Sequence, residues 1–435
     1  MNIECGLGID FGTSGARAIA IDSSGEIRSQ TDYPFPPSAT ADTSIWHAAL
    51  FETIDRTRQQ LPPTAIVTRI AINGTSATAL LCDASGQPVT PPLLYNDGRG
   101  TAVLDKLAAI SPANHTVVSA TSSLAKLLWF LEQKESKPEY YFLHQADWLA
   151  FLLHGKLGIS DYHNALKLGY DPANLCYPNW LLQGIRRIAG NRVPQLPSVV
   201  EPGTPIGQLT PEIAHRFGFS HPCLVCAGTT DSIAAFLASG VNSPGEAVTS
   251  LGSTLVLKLL SRTRVEDSRY GIYSHRLGNL WLTGGASNSG GAVLRSFFTD
   301  AELATLSDRI PDTESPLDYY PLLQPGERFP INDPQFPPKL EPRPEDSVEF
   351  LHGLLESIAR IEARGYQLLQ QLGATQIVRV YTAGGGAKNG VWGRIRHRHL
   401  HVRVLQSYQT EAAYGTALLA SKSNLANTGL TQLRY

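Results

Sequence analysis

Asp10-Phe11-Gly12-Thr13-Ser14 follows an apolar strand and leads into a second, Ala16-Arg17-Ala18-Ile19-Ala20-Ile21-Asp22. A partial echo, Ser250-Leu251-Gly252-Ser253-Thr254, stands 240 positions later, after Glu246-Ala247-Val248-Thr249. A third glycine cluster, Gly384-Gly385-Gly386, ends the apolar run 377–381. One glycine turn between strands is ordinary hairpin chemistry. Two in matching register, with a third cluster, point to an α/β protein of two similar lobes closing on one nucleotide phosphate chain, and so to an ATP-using enzyme.

Glycine lets the main chain approach phosphate oxygens, and successive backbone N–H groups in such a turn form a concave anion site. Thr13, Ser14, Ser253 and Thr254 add hydroxyl donors. The turns join strand to strand, and neither a G-x-x-x-x-G-K-[ST] nor a suitably placed G-x-G-x-x-G occurs, so the P-loop and Rossmann arrangements are excluded. The first turn carries Asp10 where the second carries Ser250. An acid at the end of a buried strand is costly without a cation. A Mg²⁺ ion bridging ATP phosphates supplies one; capping of its own turn is the plainer alternative.

At 435 residues the chain is too long for one core. The expected division is 1–240 and 241–435. A formal charge of -2 favours neither nucleic acid nor an anionic membrane as partner and leaves small neutral or phosphorylated ligands open. No basic region precedes an apolar stretch at the start, and no apolar run is long enough for a bilayer, so a leader or span is not expected. Five scattered cysteines suggest a reducing, cytoplasmic setting. Cys223-Leu224-Val225-Cys226 has redox or zinc spacing but no second pair, and it reads as a buried strand. The basic run 394–401 reads as a solvated helix face. The oligomeric expectation is a monomer or homodimer.

Leu224 to Ala227 reads as a strand, Gly228-Thr229-Thr230 as a turn, and 231–240 as a helix with a glycine stop. Asp231 at the helix start is an ordinary N-cap. It also stands at the lobe junction, where a carboxylate could take a proton from an alcohol attacking a γ-phosphoryl group. Spacing alone leaves both readings open. Ser76 after a strand, and the polar segments around Asp97, Gln145 and Asp161, are candidates for a sugar site.

With these elements in place, the chain resembles the FGGY carbohydrate kinases. The resemblance is carried by Asp10-Phe11-Gly12-Thr13-Ser14, Asn96-Asp97-Gly98-Arg99, Gly228-Thr229-Thr230-Asp231 and Leu251-Gly252-Ser253-Thr254. It continues through Tyr320-Pro321 with Gly326-Glu327-Arg328 and through Ala383-Gly384-Gly385-Gly386-Ala387-Lys388-Asn389. It implies a two-lobed ribonuclease-H-like, actin-like ATPase fold with a central cleft. The first lobe would bind sugar and the second nucleotide, with ATP and Mg²⁺ as cofactors.

By position, the resemblance makes Asp231 the catalytic base and puts Asp10 near magnesium and the reactive hydroxyl. Gly12, Thr13 and Ser14 form the first phosphate turn, and Gly252, Ser253 and Thr254 the second. Gly385, Gly386 and Asn389 would bind adenosine, with Trp392 flanking adenine. Gly284-Gly285 and Asn288-Ser289-Gly290-Gly291 fall where the family approaches the nucleotide.

One element departs from xylulose and glycerol kinases. Their Gln-x-His or Gln-His is replaced by Asn73-Gly74-Thr75-Ser76-Ala77-Thr78. This is similar to a short cyanobacterial and plant branch of D-ribulose kinases, in which Ser76, with Asp10, Asp97 and Asp231, would serve the ketopentose. The expectation is therefore phosphorylation of D-ribulose at O5, with D-xylulose, L-ribulose or a polyol as alternative acceptors and a non-catalytic sugar-binding member of the family as the alternative of another class.

Overall fold

From Cys5 to Phe11 every residue is buried, which requires a central strand covered on both faces. The computed structural model, describing residues 2–36, 41–133 and 137–421, places that strand as β1 (Ile3–Phe11). The chain divides into a first unit, Met1–Ala238 with the segment from Glu411, and a second, Ser239–Thr410.

In the first unit β2 (Gly15–Asp22), β3 (Ile27–Pro34), helix α1 (Thr43–Gln60) and β4 (Ala65–Gly74) follow β1. Then come β5 (Ala79–Cys82), α2 (Leu104–Ile110), α3 (Ser123–Glu132), β6 (Tyr141–His144), α4 (Gln145–His154) and β7 (Ile159–Asp161). After α5 (Asn179–Ala189), β8 (Ser198–Val200), β9 (Pro205–Gln208) and α6 (Pro211–Arg216), β10 (Leu224–Thr230) runs straight into α7 (Asp231–Ala238). The main sheet has the order β3-β2-β1-β4-β10-β9. β2 is antiparallel to both β1 and β3, whereas β4 lies parallel to β1 and β10 parallel to β4.

The second unit repeats this plan. It contains β11 (Glu246–Leu251), β12 (Leu255–Ser261), β13 (Tyr273–Leu277), β14 (Leu280–Ser287), α8 (Gly291–Phe297), α9 (Asp300–Ser307), α10 (Ser347–Gln371), β15 (Arg379–Ala383), α11 (Gly390–Leu400) and β16 (Arg403–Gln406). Its sheet runs β13-β14-β12-β11-β15-β16. β12 is antiparallel to β11 and to β14, β15 is parallel to β11, and β16 is parallel to β15. Five strands thus share one order and one set of directions in both units, and each sheet adds one antiparallel edge strand. The duplicated turn seen in the sequence is the β1–β2 connection in one unit and the β11–β12 connection in the other. This is the two-domain α/β arrangement of the actin-like ATPase superfamily.

Three expectations change. Residues 228–230 continue β10 as strand instead of turning, because Thr229 and Thr230 pair with Asn73 and Gly74 of β4. The last helix, α12 (Ala412–Ser421), belongs to the first unit and not to the second. A side-chain carbon added at Gly6 or Gly8 of β1 would lie 2.0 Å from Ser421 Oγ or 2.1 Å from Ala417 N. The bare β1 backbone is what lets α12 lie against it. Residues 422–435, assigned to the second lobe in the expected division, lie outside the described residues.

The third change concerns the basic run on α11. Arg396 is 1% exposed. It donates through Nε to Glu362 at 2.6 Å, through Nη2 to the same carboxylate at 2.8 Å, and through Nη1 to Thr382 Oγ1 at 2.6 Å. Glu362 also accepts from Thr249 Oγ1, which lies 2.9 Å from the Tyr366 hydroxyl. One buried network therefore ties β11, β15, α10 and α11 together.

Candidate functional site

At the C-terminal ends of β1, β4 and β10, register places Asp10 beside Asn73 and Asn73 beside Thr229. All are buried, as is Thr230. Asp10 Oδ1, Asn73 Oδ1 and Thr230 Oγ1 have no hydrogen-bond partner in the structure. Buried polar atoms are nearly always paired. Three unpaired ones on adjacent strands mark a place where the fold leaves polar capacity for a ligand. Asp231 follows directly as the first residue of α7, half-buried, accepting from Ser232 N at 2.7 Å. The N-terminal turn of a helix favours its ionised form.

Burial and, next, the nearby Asp231 charge push the Asp10 carboxyl up to about 7, with Arg17 opposing. Two carboxyl groups close together and away from water do not both ionise readily without a cation. The unpartnered Oδ1 and the neighbouring second acid fit a divalent cation.

The β1–β2 turn is closed by Gly12 N donating to Gly15 O at 3.0 Å. Its counterpart is closed by Gly252 N donating to Thr254 O at 3.2 Å. Gly291 N and Ala292 N, at the start of α8, donate to Gly252 O at 2.9 Å and Ser253 O at 3.0 Å, and Arg295 Nη2 lies 3.2 Å from Ser253 Oγ. Thr13 and Ser14 are exposed.

The glycines separate into two kinds. An added Cβ at Gly12 or Gly252 would meet only an ordinary contact, at 3.7 or 3.8 Å, and at Gly385 nothing within 4 Å. The fold does not require glycine at these three positions. Gly384, with φ 82°, and Gly386 are required by packing, since a Cβ there would stand 2.7 Å from Leu251 O or from the Leu251 and Trp392 side chains.

A paired prediction follows. Gly12→Ala folds with unchanged or slightly raised stability, within about 1 kcal/mol, and raises KM for ATP roughly tenfold by blocking main-chain approach, a loss of ~1.4 kcal/mol in binding. Gly386→Ala loses about 1–3 kcal/mol of stability through overpacking. Denaturant melts and ATP titrations of both variants check this, and an unaltered KM in Gly12→Ala removes the turn from phosphate binding.

Trp392 is placed otherwise than expected. It is 2% exposed, in the core of its unit, with its ring under Gly386, so it offers adenine no open face. Asn389 caps α11, accepting from Trp392 N at 2.9 Å and donating to Ser307 Oγ at 2.8 Å. A cavity of about 350 Å³ adjoins this segment, lined by Thr382, Gly386, Asn389, Arg396 and Gln406 among others.

Ser76 is half-buried at the tip of a turn closed by Thr78 N donating to Thr75 O at 3.2 Å. Gln145 Oε1 accepts from Thr75 N at 3.0 Å. Asp97 caps the short helical turn after it and forms a two-pronged pair with Arg99, which holds its carboxyl below the usual range. Local structure therefore already occupies the Asp97 oxygens.

Sequence reasoning passed over Asn73, Thr230 and Lys126. Only Lys126 carried a signal, as a lone cation in the apolar stretch 124–131. Cys223 and Cys226 are buried free thiols, and burial pushes Cys223 up to about 12, so the pair is structural. Among the described residues, Glu314, Glu356 and His399 are near enough to share a metal ion. Arg360 already pairs with Glu314, and Arg398 and His352 with Glu356, so this is an ion-pair cluster. No described helix is long and apolar enough to cross a membrane.

Comparison with known proteins places the chain in a family. The model of the N-terminal domain of the FGGY family of carbohydrate kinases matches residues 5–238, and that of the C-terminal domain matches 247–423. A xylulose kinase of Staphylococcus xylosus is 23% identical over 95% of this chain and 90% of its own length. A gluconokinase of Bacillus subtilis is 24% identical over 89% and 81%. The crystal structure of a xylulose kinase from Rhodospirillum rubrum superposes with a TM-score of 0.81 at 21% identity, covering 95% of this chain and 89% of the other.

Proposed function

The chain belongs to the FGGY family of carbohydrate kinases, an ATP-dependent activity, and from that premise we propose that its acceptor is a ketopentose phosphorylated on the terminal hydroxyl. D-Xylulose is the first acceptor, supported by the number of xylulose kinases among its relatives. The observation that carries the catalytic assignment is the set of unpartnered buried atoms, Asp10 Oδ1 and Thr230 Oγ1, beside Asp231.

Asp231 accepts the hydroxyl proton as the sugar oxygen attacks the γ-phosphorus. The bond from that phosphorus to the bridging oxygen breaks, and ADP leaves. Asp10 would hold Mg²⁺, which when bound would neutralise charge on the phosphates. The turns at 12–14 and 252–254 are assigned the phosphate chain, and Gly385, Gly386 and Asn389 the adenosine. Ser76 contacts the ketopentose, with Asp97 beside it as part of its pair with Arg99. Exclusion of water limits wasteful hydrolysis of ATP.

D-Ribulose is the second reading, favoured by residues 73–78, Ser76 among them, which replace the Gln-x-His or Gln-His element of xylulose kinases. The two ketopentoses differ only in configuration at C3, so the group facing O3 decides between them. A coupled ADP assay with D-xylulose, D-ribulose, L-ribulose, gluconate and glycerol tests the proposal. The highest kcat/KM is expected for one of the pentuloses. A higher value for gluconate or glycerol overturns the ketopentose assignment.

A further inference from the structure

Lys126 lies on α3 with no exposed surface. Its Nζ donates to Ala77 O at 2.6 Å and to Leu94 O at 2.7 Å. Ala77 directly follows Ser76 and is itself buried, with φ 66°, a left-handed conformation that L side chains other than Asn and Asp rarely adopt. Leu94 opens the turn that ends at Asp97, whose N–H donates back to Leu94 O at 3.0 Å. One buried ammonium group thus bonds two loops, one presenting Ser76 and the other Asp97.

We propose that Lys126 is the positioning residue of the acceptor site, holding the strained Ser76–Ala77 turn and the Asp97 loop in the arrangement that admits the ketopentose. The inference rests on the ketopentose reading above and deepens it.

The turn needs an anchor because a residue with a Cβ is held against its preference at its third position. Left-handed geometry crowds the Cβ of an L residue against the following carbonyl oxygen, and glycine is the usual occupant of that turn position. Gln145 and the Thr75–Thr78 hydroxyl pair, at 2.6 Å, fix the base of the turn. The Lys126 bond to the Ala77 carbonyl fixes the peptide that Ser76 depends on. The anchor works in either protonation state. Burial pushes Lys126 down to about 7, Asp97 opposes that fall, and Lys167 and Arg99 add to it. A neutral amine still carries an N–H for each of the two carbonyls.

The test compares Lys126→Met, which keeps the buried stem, in the natural sequence and in an Ala77→Gly background. Glycine takes φ 66° without strain, so the turn then depends less on its anchor. Lys126→Met is expected to raise KM for the acceptor at least tenfold while KM for ATP stays within about twofold. The rise in the Ala77→Gly background is expected to be clearly smaller.

A folded Lys126→Met protein with an unchanged acceptor KM overturns the proposal, as do acceptor and ATP KM values that rise together. Failure of Lys126→Met to fold in both backgrounds also overturns it, because the lysine would then be holding the unit and not the turn. If no pentulose is turned over by the unmodified protein, the ketopentose reading has failed before any variant is compared.

Discussion

Asp231→Ala is expected to lower sugar-dependent ADP formation by about 10²–10⁴-fold, the usual contribution of a positioned general base, while ATP binding persists. Asp231→Asn should lose nearly as much, since an amide of the same shape does not accept the proton. Calorimetric titration with a non-hydrolysable ATP analogue separates binding from chemistry. Near-normal turnover in either variant removes Asp231 from the mechanism.

The same substitution has a second readout in metal-free buffer. Asp10 is raised from 3.8 to about 7, first by burial and next by Asp231. Between those values the folded protein holds a proton that the unfolded chain has released, so this group makes stability fall as pH rises from about 4 to about 7. Removing Asp231 removes one source of the rise, and the slope should become shallower. Asp161, raised to about 7 by burial and by Asp147, contributes a slope common to both proteins. Urea melts at pH 5 and pH 8 measure the difference, and identical slopes would mean that the two carboxyl groups are uncoupled.

Arg396→Met is expected to cost about 3–5 kcal/mol, because it leaves Glu362 buried without its cation. For a unit of this size that is roughly a 6–20 °C fall in melting temperature. The loss should exceed that from any other single member of the basic run 394–401, since Arg396 is bonded at three points to groups that water does not reach. Replacing both partners, Arg396→Met with Glu362→Leu, should destabilise less than Arg396→Met alone, because no charge is then left unpaired. A double variant less stable than the single one would show that the network holds the unit through geometry rather than through charge balance. Thr249 and Thr382, which share these bonds, lie on β11 and β15, the strands that lead into the 252–254 turn and the 384–386 cluster. Loss of the network should therefore also weaken ATP binding.

The order of elements was legible because it depends on local pattern. The apolar runs of β1, β2, β11 and β15 and the duplicated glycine-hydroxyl turn were all readable from neighbours in the chain. Asp10 and Asp231 could be named for the same reason, each standing where a strand ends or a helix begins. The strand at 228–230 was misread because glycine and threonine suit a turn by composition. Pairing with β4, a partner more than 150 residues away, decided otherwise.

By itself, the sequence determined that two like α/β units each carry a phosphate-type turn and that one of them bears the acids. Those features arise from residue type and short-range spacing. Only the tertiary structure decided that α12 returns to the first unit, that Trp392 and Arg396 are interior, and which glycines the backbone needs. It alone brought Lys126 to the carbonyls of both Ala77 and Leu94. These outcomes depend on contacts between distant segments and on the burial they create, and no local pattern encodes either.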